Sequence, residues 1–164
     1  MIQVEGSNKG AGLKFALVVS KFNDFITDRL QAGALDGLKS AGVLTADVCV
    51  IKVPGAFEIP FAAKEAASRG SFAAVICLGC LIRGATAHFE YIASACAHGI
   101  TDAAAATGVP MTFGVLTTNS VEEALDRAAE GSANKGWEAA IAAVEMATLQ
   151  RALRQPMPMS GHNI

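Results

Sequence analysis

The residue types best suited to chemistry lie in the stretch 79–90 (GCLIRGATAHFE), where an apolar run ends and a polar helix start follows. We expect Gly79 and Gly84 to bracket a bend, and Ala85 and Thr86 to open a helix. The start of a helix carries unpaired backbone N–H groups and the positive end of the helix dipole, and both favour an anion. The stretch therefore predicts a turn that holds a phosphate group.

His88 follows in the first turn of this predicted helix. The helix dipole disfavours a protonated ring there, which suits an imidazole that accepts and returns a proton near neutral pH. A histidine at a helix start can also be a cap or a packed side chain, so position alone leaves both roles open. Thr86 has two compatible roles, since it can hold phosphate through its hydroxyl and N–H or cap the helix.

Four other side chains are candidates for ligand contacts. Phe22, in a polar loop, can present its ring to a heteroaromatic ligand or pack as a hydrophobic staple. Glu58 lies in an apolar run, where a carboxylate needs a partner or a ligand N–H, or it serves the helix dipole. Arg127 and Lys135 are the cations best placed to compensate a phosphate, although such residues usually lie solvated on the surface.

These residues are positioned by a chain that alternates apolar runs with amphipathic stretches. The predicted strands are residues 14–20, 47–53, 73–78 and 111–116. The first predicted helix follows a cap at Asn23 or Asp24 and stops at Gly42. The others are predicted over residues 56–69, 85–107, 121–129 and 137–153, the fourth helix opened by a capping box of Ser120 and Glu123.

Strands that alternate with helices predict a parallel sheet, because right-handed crossovers place helices on both faces. The predicted fold class is α/β: a single-domain, three-layer, doubly wound sheet of four parallel strands, flavodoxin-like. In such sheets the ligand binds beyond the carboxyl ends of the strands. This rule brings together Phe113 and the polar breaks at residues 22–23, 54–58, 79–88 and 117–119.

The length of 164 residues fits one domain with a substantial core. The composition, 52% hydrophobic and 17% charged, is too apolar for a disordered chain, and its surplus of apolar surface hints at subunit interfaces. We expect an N-terminal arm over residues 1–13, one α/β domain over residues 14–154, and a disordered tail over residues 155–164.

Several classes of protein are disfavoured. A net charge of −2 without a Lys/Arg cluster argues against nucleic-acid binding, and no apolar run approaches the roughly 20 residues that span a membrane. The N-terminus does not resemble a signal peptide. Cys49, Cys77, Cys80 and Cys96 lie in apolar runs, which suits buried, reduced thiols in a cytoplasmic protein. The C-x-x-C spacing lacks the context of a redox dithiol or a metal site.

The motifs taken together resemble the lumazine synthase (6,7-dimethyl-8-ribityllumazine synthase) family. The octapeptide V-P-G-A-F-E-I-P followed by R-G-A-T-x-H is far more specific than either piece, and the resemblance covers roughly residues 14–150. The matching stretches are Phe22-Asn23, residues 33–35, 53–60, 79 and 82–88, Gly114, residues 116–118 and residues 134–136.

The resemblance implies a transferase of riboflavin biosynthesis, acting at its penultimate step. The reaction condenses 5-amino-6-(D-ribitylamino)uracil with 3,4-dihydroxy-2-butanone 4-phosphate to 6,7-dimethyl-8-ribityllumazine, with release of phosphate and water. The implied partners are these two small molecules, and no metal or organic cofactor is implied.

The resemblance also implies residue roles. Phe22 would stack on the pyrimidine, the backbone at Leu81 and Ile82 would hold the uracil edge, and His88 would transfer protons. The further substrate-binding residues on the same subunit would be Ala56, Phe57 and Glu58 at the ribityl chain, Cys80, and Ala85 and Thr86 at the phosphate. Phe113, Arg127 and Lys135 would reach in from the adjacent subunit.

The family assembles as pentamers, and some members close sixty subunits into an icosahedral shell. The link between Arg127 and Asn134 lacks the insertion of pentamer-only members, so we expect a shell. The family resemblance also implies a possible association with riboflavin synthase. Two other classes remain open from sequence: a non-catalytic flavin or lumazine binder, and a purely structural shell protein.

Overall fold

The computed structural model describes residues 1–156, so most of the tail that we expect to be disordered lies outside the described residues. The strands are β1 (Phe15–Ser20), β2 (Val48–Val53), β3 (Ala74–Ile82) and β4 (Met111–Thr118). The helices are α1 (Asp24–Ser40), α2 (Ile59–Ser68), α3 (His88–Thr107), α4 (Val121–Arg127) and α5 (Lys135–Leu153), with 3₁₀ turns at Thr45–Asp47 and Ala56–Glu58.

The strands form one parallel sheet in the order β2-β1-β3-β4, which confirms the predicted flavodoxin-like fold class. Central β1 is buried along its whole length, because successive side chains enter opposite cores. Phe15, Leu17 and Val19 pack with α1, α4 and α5, whereas Ala16 and Val18 pack with α2 and α3. Three layers result, and β2 and β4 are the edges of the sheet.

β3 continues beyond its predicted end, so Gly79 is not a bend. A Cβ atom at Gly79 would lie 3.1 Å from Ile59 Cδ1 and 3.3 Å from Ser20 Oγ. The glycine therefore admits α2 and β1 close to the centre of the sheet, as a residue without a side chain can within a strand.

The turn after β3 starts later than we predict, and so does its helix. Pairing of β3 with β4 extends to Ile82, and the Arg83 N–H still donates to the Thr118 carbonyl at 2.8 Å. α3 begins at His88, not at Ala85, because residues 83–87 connect the end of β3 to the helix. Ala85 and Thr86 lie in an exposed turn before the helix.

α5 also differs from its prediction, since it begins at Lys135 and not at Trp137. The buried Asn134 side chain caps it, with Oδ1 accepting from the N–H groups of Gly136 at 2.8 Å and Trp137 at 3.3 Å. Gly136, a poor helix former, is placed in the first turn by packing. A Cβ there would lie 1.9 Å from the Leu30 carbonyl oxygen, so α1 and α5 touch at this point.

The capping box at α4 is confirmed in its first half, because Ser120 Oγ accepts from the Glu123 N–H at 3.2 Å. The Glu123 carboxylate reaches one residue further back than the motif predicts and accepts from the Asn119 N–H at 2.9 Å. The predicted second helix is also divided, with a 3₁₀ turn at Ala56–Glu58 before α2.

Three of the four cysteines are buried, and Cys49 is the exception, so the expectation of four buried thiols is wrong for this residue. Cys49 is exposed because β2 is an edge strand. Burial raises the pKa of the Cys80 and Cys96 thiols to about 11. The pKa of Cys77 is also raised, first by burial and second by the neighbouring Cys96.

Residues 1–13 precede β1 without a helix or strand of their own. Their contact with α5 includes a pair of hydrogen bonds: the Ser7 N–H donates to Thr148 Oγ1 at 2.8 Å, and that hydroxyl is 3.0 Å from the Ser7 carbonyl. Among residues 1–156, no helix combines the length and the apolar character needed to cross a bilayer.

Candidate functional site

The main cleft lies where the carboxyl ends of β1, β2 and β3 meet the start of α3. β1 and β3 are neighbours whose connections leave in opposite directions, which is the topological switch point of a doubly wound sheet. The cavity has a volume of about 460 Å³. Its lining residues are Phe22, Asn23, Gly55, Phe57, Glu58, Leu81, Ile82, Gly84, Thr86, His88, Phe89 and Ile92.

The loop after β1 holds an aromatic ring at the rim of this cleft. The Phe22 N–H donates to the Pro54 carbonyl at 3.0 Å, which ties the loop to the end of β2. Asn23 takes a left-handed backbone conformation, with φ of 59°, and its Nδ2 donates to the Cys80 carbonyl at 2.9 Å. The Phe22 side chain is 68% exposed, so it is available to stack on a ligand and is not buried against α1.

The segment after β2 supplies a second aromatic ring and a carboxylate. The 3₁₀ turn Ala56–Glu58 presents Phe57 and Glu58 to the cavity, and both are exposed. Ala56 points the other way and is buried in the core shared by α2 and α3. Any contact of Ala56 with a ligand in the cleft therefore has to use its backbone.

The end of β3 forms the floor of the cleft. Leu81 and Ile82 are half-buried and line the cavity. Cys80 does not line the cavity, since its side chain is buried in the opposite core. Burial also raises the pKa of the Cys80 thiol, which therefore stays neutral. Its backbone carbonyl is already the acceptor for Asn23.

The turn after Arg83 lies at one end of the cleft. In the part of the chain that the structure describes, the N–H groups of Ala85, Thr86 and His88 have no hydrogen-bond acceptor. His88 is the first residue of α3, and its exposed ring lines the same cavity as Thr86 and Phe22. Unpaired N–H groups at a helix start favour an anion, so the turn can hold a phosphate beside an imidazole.

The remaining predicted residues line a different cavity, of about 470 Å³, along the edge strand β4. Phe113 lies on β4 and is 47% exposed, Arg127 ends α4, and Lys135 begins α5. Arg127 donates to the Glu123 carbonyl at 3.2 Å, whereas Lys135 pairs with Glu138 at 2.7 Å.

The structure thus divides the predicted residues into two groups. The main cleft contains Phe22, Phe57, Glu58, Leu81, Ile82, Thr86 and His88, and the β4 cavity contains Phe113, Arg127 and Lys135. The two cavities share no lining residue. Ala85 lies beside the main cleft in the exposed turn, while the side chains of Ala56 and Cys80 face the cores.

Two of the lining residues make contacts that the sequence does not predict. Asn23 was a candidate helix cap, yet its side chain makes no capping bond and instead joins the β1 loop to β3. Glu138 lies one helical turn from Lys135, a spacing at which charged side chains meet. That spacing is visible in the sequence and identifies the pair once the helix is known to start at Lys135. Within residues 1–156, no cluster of three or more His, Cys, Asp or Glu side chains could hold a metal ion.

Comparison with known proteins adds two findings. A family model described as 6,7-dimethyl-8-ribityllumazine synthase matches residues 12–151. A curated protein named 6,7-dimethyl-8-ribityllumazine synthase, from Syntrophus aciditrophicus (strain SB), is 52% identical over 147 residues, which cover 90% of this chain and 96% of the relative. The range matched by the family model includes every residue of the main cleft and of the β4 cavity.

Proposed function

Because the chain belongs to the 6,7-dimethyl-8-ribityllumazine synthase family, we propose that its active site is the main cleft completed by the β4 cavity of a neighbouring subunit. The membership confirms the predicted transferase and its condensation of 5-amino-6-(D-ribitylamino)uracil with 3,4-dihydroxy-2-butanone 4-phosphate in riboflavin biosynthesis. The roles of individual residues and the assembly are our proposals.

The pyrimidine substrate occupies the middle of the main cleft. Its flat ring stacks on the exposed Phe22, and its uracil edge meets the backbone at Leu81 and Ile82, where β3 leaves the sheet. The ribityl chain, which is rich in hydroxyls, lies along Phe57 and Glu58 at the end of β2. The Glu58 carboxylate can accept hydrogen bonds from those hydroxyls.

The phosphate substrate occupies the turn before α3. The free N–H groups of Ala85 and Thr86 point to a phosphate site, which the dipole of a helix of 20 residues reinforces. His88, at the same helix start, transfers protons while the amine adds to the ketone and phosphate leaves. Holding two substrates side by side supplies much of the remaining acceleration, so no strong nucleophile is required.

The observation that carries this proposal is the division of the site residues between two cavities of one chain. Each cavity alone is incomplete: the main cleft has the phosphate turn but no Arg or Lys among its lining residues, and the β4 cavity has Arg127 and Lys135. A neighbouring subunit that brings its β4 edge to the main cleft supplies Phe113 to close the aromatic pocket. It also supplies the charge that stabilises departing phosphate.

The direct test is to mix both substrates with the purified protein and to follow the absorbance or fluorescence of the lumazine product. Formation of lumazine at a rate proportional to protein concentration is expected. The absence of product would leave the other two classes, a non-catalytic binder that retains affinity for lumazine and a structural shell protein that does not.

The shared site is tested by complementation between two inactive variants. His88→Ala damages the main cleft of a subunit, whereas Arg127→Ala damages the cavity that it donates. When the two variants are unfolded, mixed and reassembled, roughly a quarter of the sites combine an intact His88 with an intact Arg127 if subunits assort at random. Activity should therefore return on mixing, and no recovery in fully assembled mixtures would show that each subunit uses its own Arg127.

We propose further that the subunits form pentamers and that the pentamers close into an icosahedral shell of sixty subunits. The exposed aromatic side chains of Phe57, Phe61 and Tyr91 support subunit interfaces, because burial of such rings against another subunit is favourable. We also propose that the chain consists of an arm of residues 1–13, a domain of residues 14–154 and a tail. A cytoplasmic location is proposed as well, and an association with riboflavin synthase is proposed from the family resemblance.

A further inference from the structure

Arg83, the exposed residue that follows β3, contacts three other side chains. Its backbone N–H extends the β3–β4 ladder to the Thr118 carbonyl, and its Nε donates to Asn119 Oδ1 at 3.0 Å. The same guanidinium pairs with the Glu90 carboxylate in the first turn of α3. Its central carbon lies 4.5 Å from the centroid of the Phe89 ring.

These contacts connect the two ends of the turn that we assign to phosphate, residues 84–87. Residues 84–87 leave the sheet at Arg83 and enter α3 at His88, and the Arg83 side chain joins the two ends of this segment. The segment itself is exposed, and its N–H groups lack acceptors within the described residues, so little else restrains it. Hydrogen bonds between a guanidinium and a carboxylate are stronger and more directional than neutral ones.

We propose that Arg83 is a positioning residue, which holds the turn so that its backbone N–H groups converge on the phosphate of 3,4-dihydroxy-2-butanone 4-phosphate. The proposal rests on the proposed function of this turn. Arg83 acts through the turn and not on the substrate, because its guanidinium is already engaged by Glu90, Asn119 and Phe89.

The negative charge of Glu90 contributes to holding Arg83 in place. Its pKa lies below the usual range, first because of the hydrogen bond from Arg83 and second because of a backbone hydrogen bond, so the carboxylate is ionised at neutral pH. Both side chains are about half exposed, at 46% and 52%, and such pairs contribute little to global stability. An effect of this pair on substrate use is therefore separable from an effect on folding.

The first test is Arg83→Gln, which removes the charge and the planar fork. Backbone N–H groups that no longer converge bind phosphate more weakly, by about one hydrogen bond to a charged group, so we expect the KM for the phosphate substrate to rise about tenfold. The KM for the pyrimidine substrate should stay within about twofold, because Phe22 and the end of β2 are untouched. Arg83→Lys should recover part of the loss, since it keeps the charge but not the fork.

Lys52→Gln is the matched control. It also removes one cation from an exposed ion pair, to Asp28 at 3.0 Å, and neither residue of that pair lines the main cleft or the β4 cavity. Wild-type kinetics are expected for this variant. An Arg83→Gln enzyme with unchanged KM values, or with the KM of both substrates raised by the same factor, would overturn the positioning role.

Glu90→Gln separates positioning from direct phosphate binding by the sign of its effect. If Arg83 positions the turn, loss of its partner raises the KM for the phosphate substrate. If Arg83 contacted phosphate itself, release from Glu90 would lower that KM, and the proposal would be wrong. The wild-type enzyme in the same assay keeps the two proposals apart, because only a wild type that forms no lumazine would contradict the function itself.

Discussion

His88 starts α3 with its ring exposed in the main cleft, beside the turn that we assign to phosphate. Replacement by alanine removes a proton-transfer group and leaves the stacking ring and the backbone donors in place. We therefore expect His88→Ala to lower kcat by about 10²-fold or more, with little change in either KM. Steady-state kinetics with each substrate varied in turn measure both quantities.

His98→Ala is the control for this substitution. His98 lies on the same helix, exposed, with Nδ1 2.8 Å from the Ser94 carbonyl one turn earlier, and it lines neither cavity. Its replacement should leave the kinetics unchanged. A His88→Ala enzyme that turns over at the wild-type rate would remove His88 from the mechanism.

Arg127 ends α4 and is exposed in the β4 cavity, where it is available to an anion brought by a neighbour. Arg127→Ala should raise the KM for the phosphate substrate about tenfold or more, because a charge-assisted contact to phosphate is lost. The KM for the pyrimidine should change little. Arg69→Ala, at the exposed end of α2, is a control with the same loss of charge, and equal effects of the two would mean that only net charge matters.

At this scale the sequence indicates which residue types could take part in chemistry, but not the hydrogen-bond partners of each side chain. The sequence leaves a packing role open for both Phe22 and His88, and the structure leaves both side chains exposed at the main cleft. The contact of Arg83 with Asn119 and that of Asn23 with the Cys80 carbonyl join residues far apart along the chain, so the sequence does not predict these two hydrogen bonds. Cys80 is misleading because strand alternation turns its side chain away from the cleft.

Among the elements, the strands and helices follow from hydrophobic periodicity, whereas the boundaries at the site do not. The sequence predicts a bend at Gly79, but this glycine lies inside β3, where its missing side chain leaves room for Ile59 of α2. Gly136 immediately precedes the predicted start of the last helix, but α5 includes it because α1 packs directly against its backbone. In both places tertiary contact decides the role of the glycine, and such contact is not encoded within a short window of sequence.

Asn134 is the point at which α1, α4 and α5 are joined. Besides capping α5, the buried Asn134 side chain donates from Nδ2 to the carbonyls of Arg29 at 3.2 Å and Ala128 at 3.0 Å. Asn134→Ala removes the cap and leaves both carbonyls without this donor. We expect a loss of about 2–4 kcal/mol in the free energy of unfolding, measured by denaturant titration at fixed protein concentration.

Ser120→Ala provides the comparison, because it removes a partly exposed cap at α4 with one capping bond. Its expected cost is about 1 kcal/mol. If both substitutions cost the same, the bonds from Asn134 to Arg29 and Ala128 would contribute nothing, and the joint between the three helices would not depend on them.

For the whole molecule, the link between α4 and α5 bears on assembly. It runs from Ala128 to Asn134 and is closed on itself by the Asn134–Ala128 hydrogen bond, so it holds no inserted segment. We therefore expect purified protein to form particles of sixty subunits, which static light scattering or analytical ultracentrifugation distinguishes from pentamers by mass. Particles of pentamer mass alone would contradict the shell and leave the enzyme unaffected.

The reactivity of the four thiols can report local unfolding of the chain. Cys77, Cys80 and Cys96 are buried, and their raised pKa values keep the reactive thiolate scarce at neutral pH, so oxidants and alkylating reagents meet Cys49 first. The Cys80 thiol lies in the core that packs against α1, α4 and α5, whereas the Cys96 thiol lies in the core that packs against α2 and α3. The order in which these thiols become modified would therefore trace the path by which the fold opens.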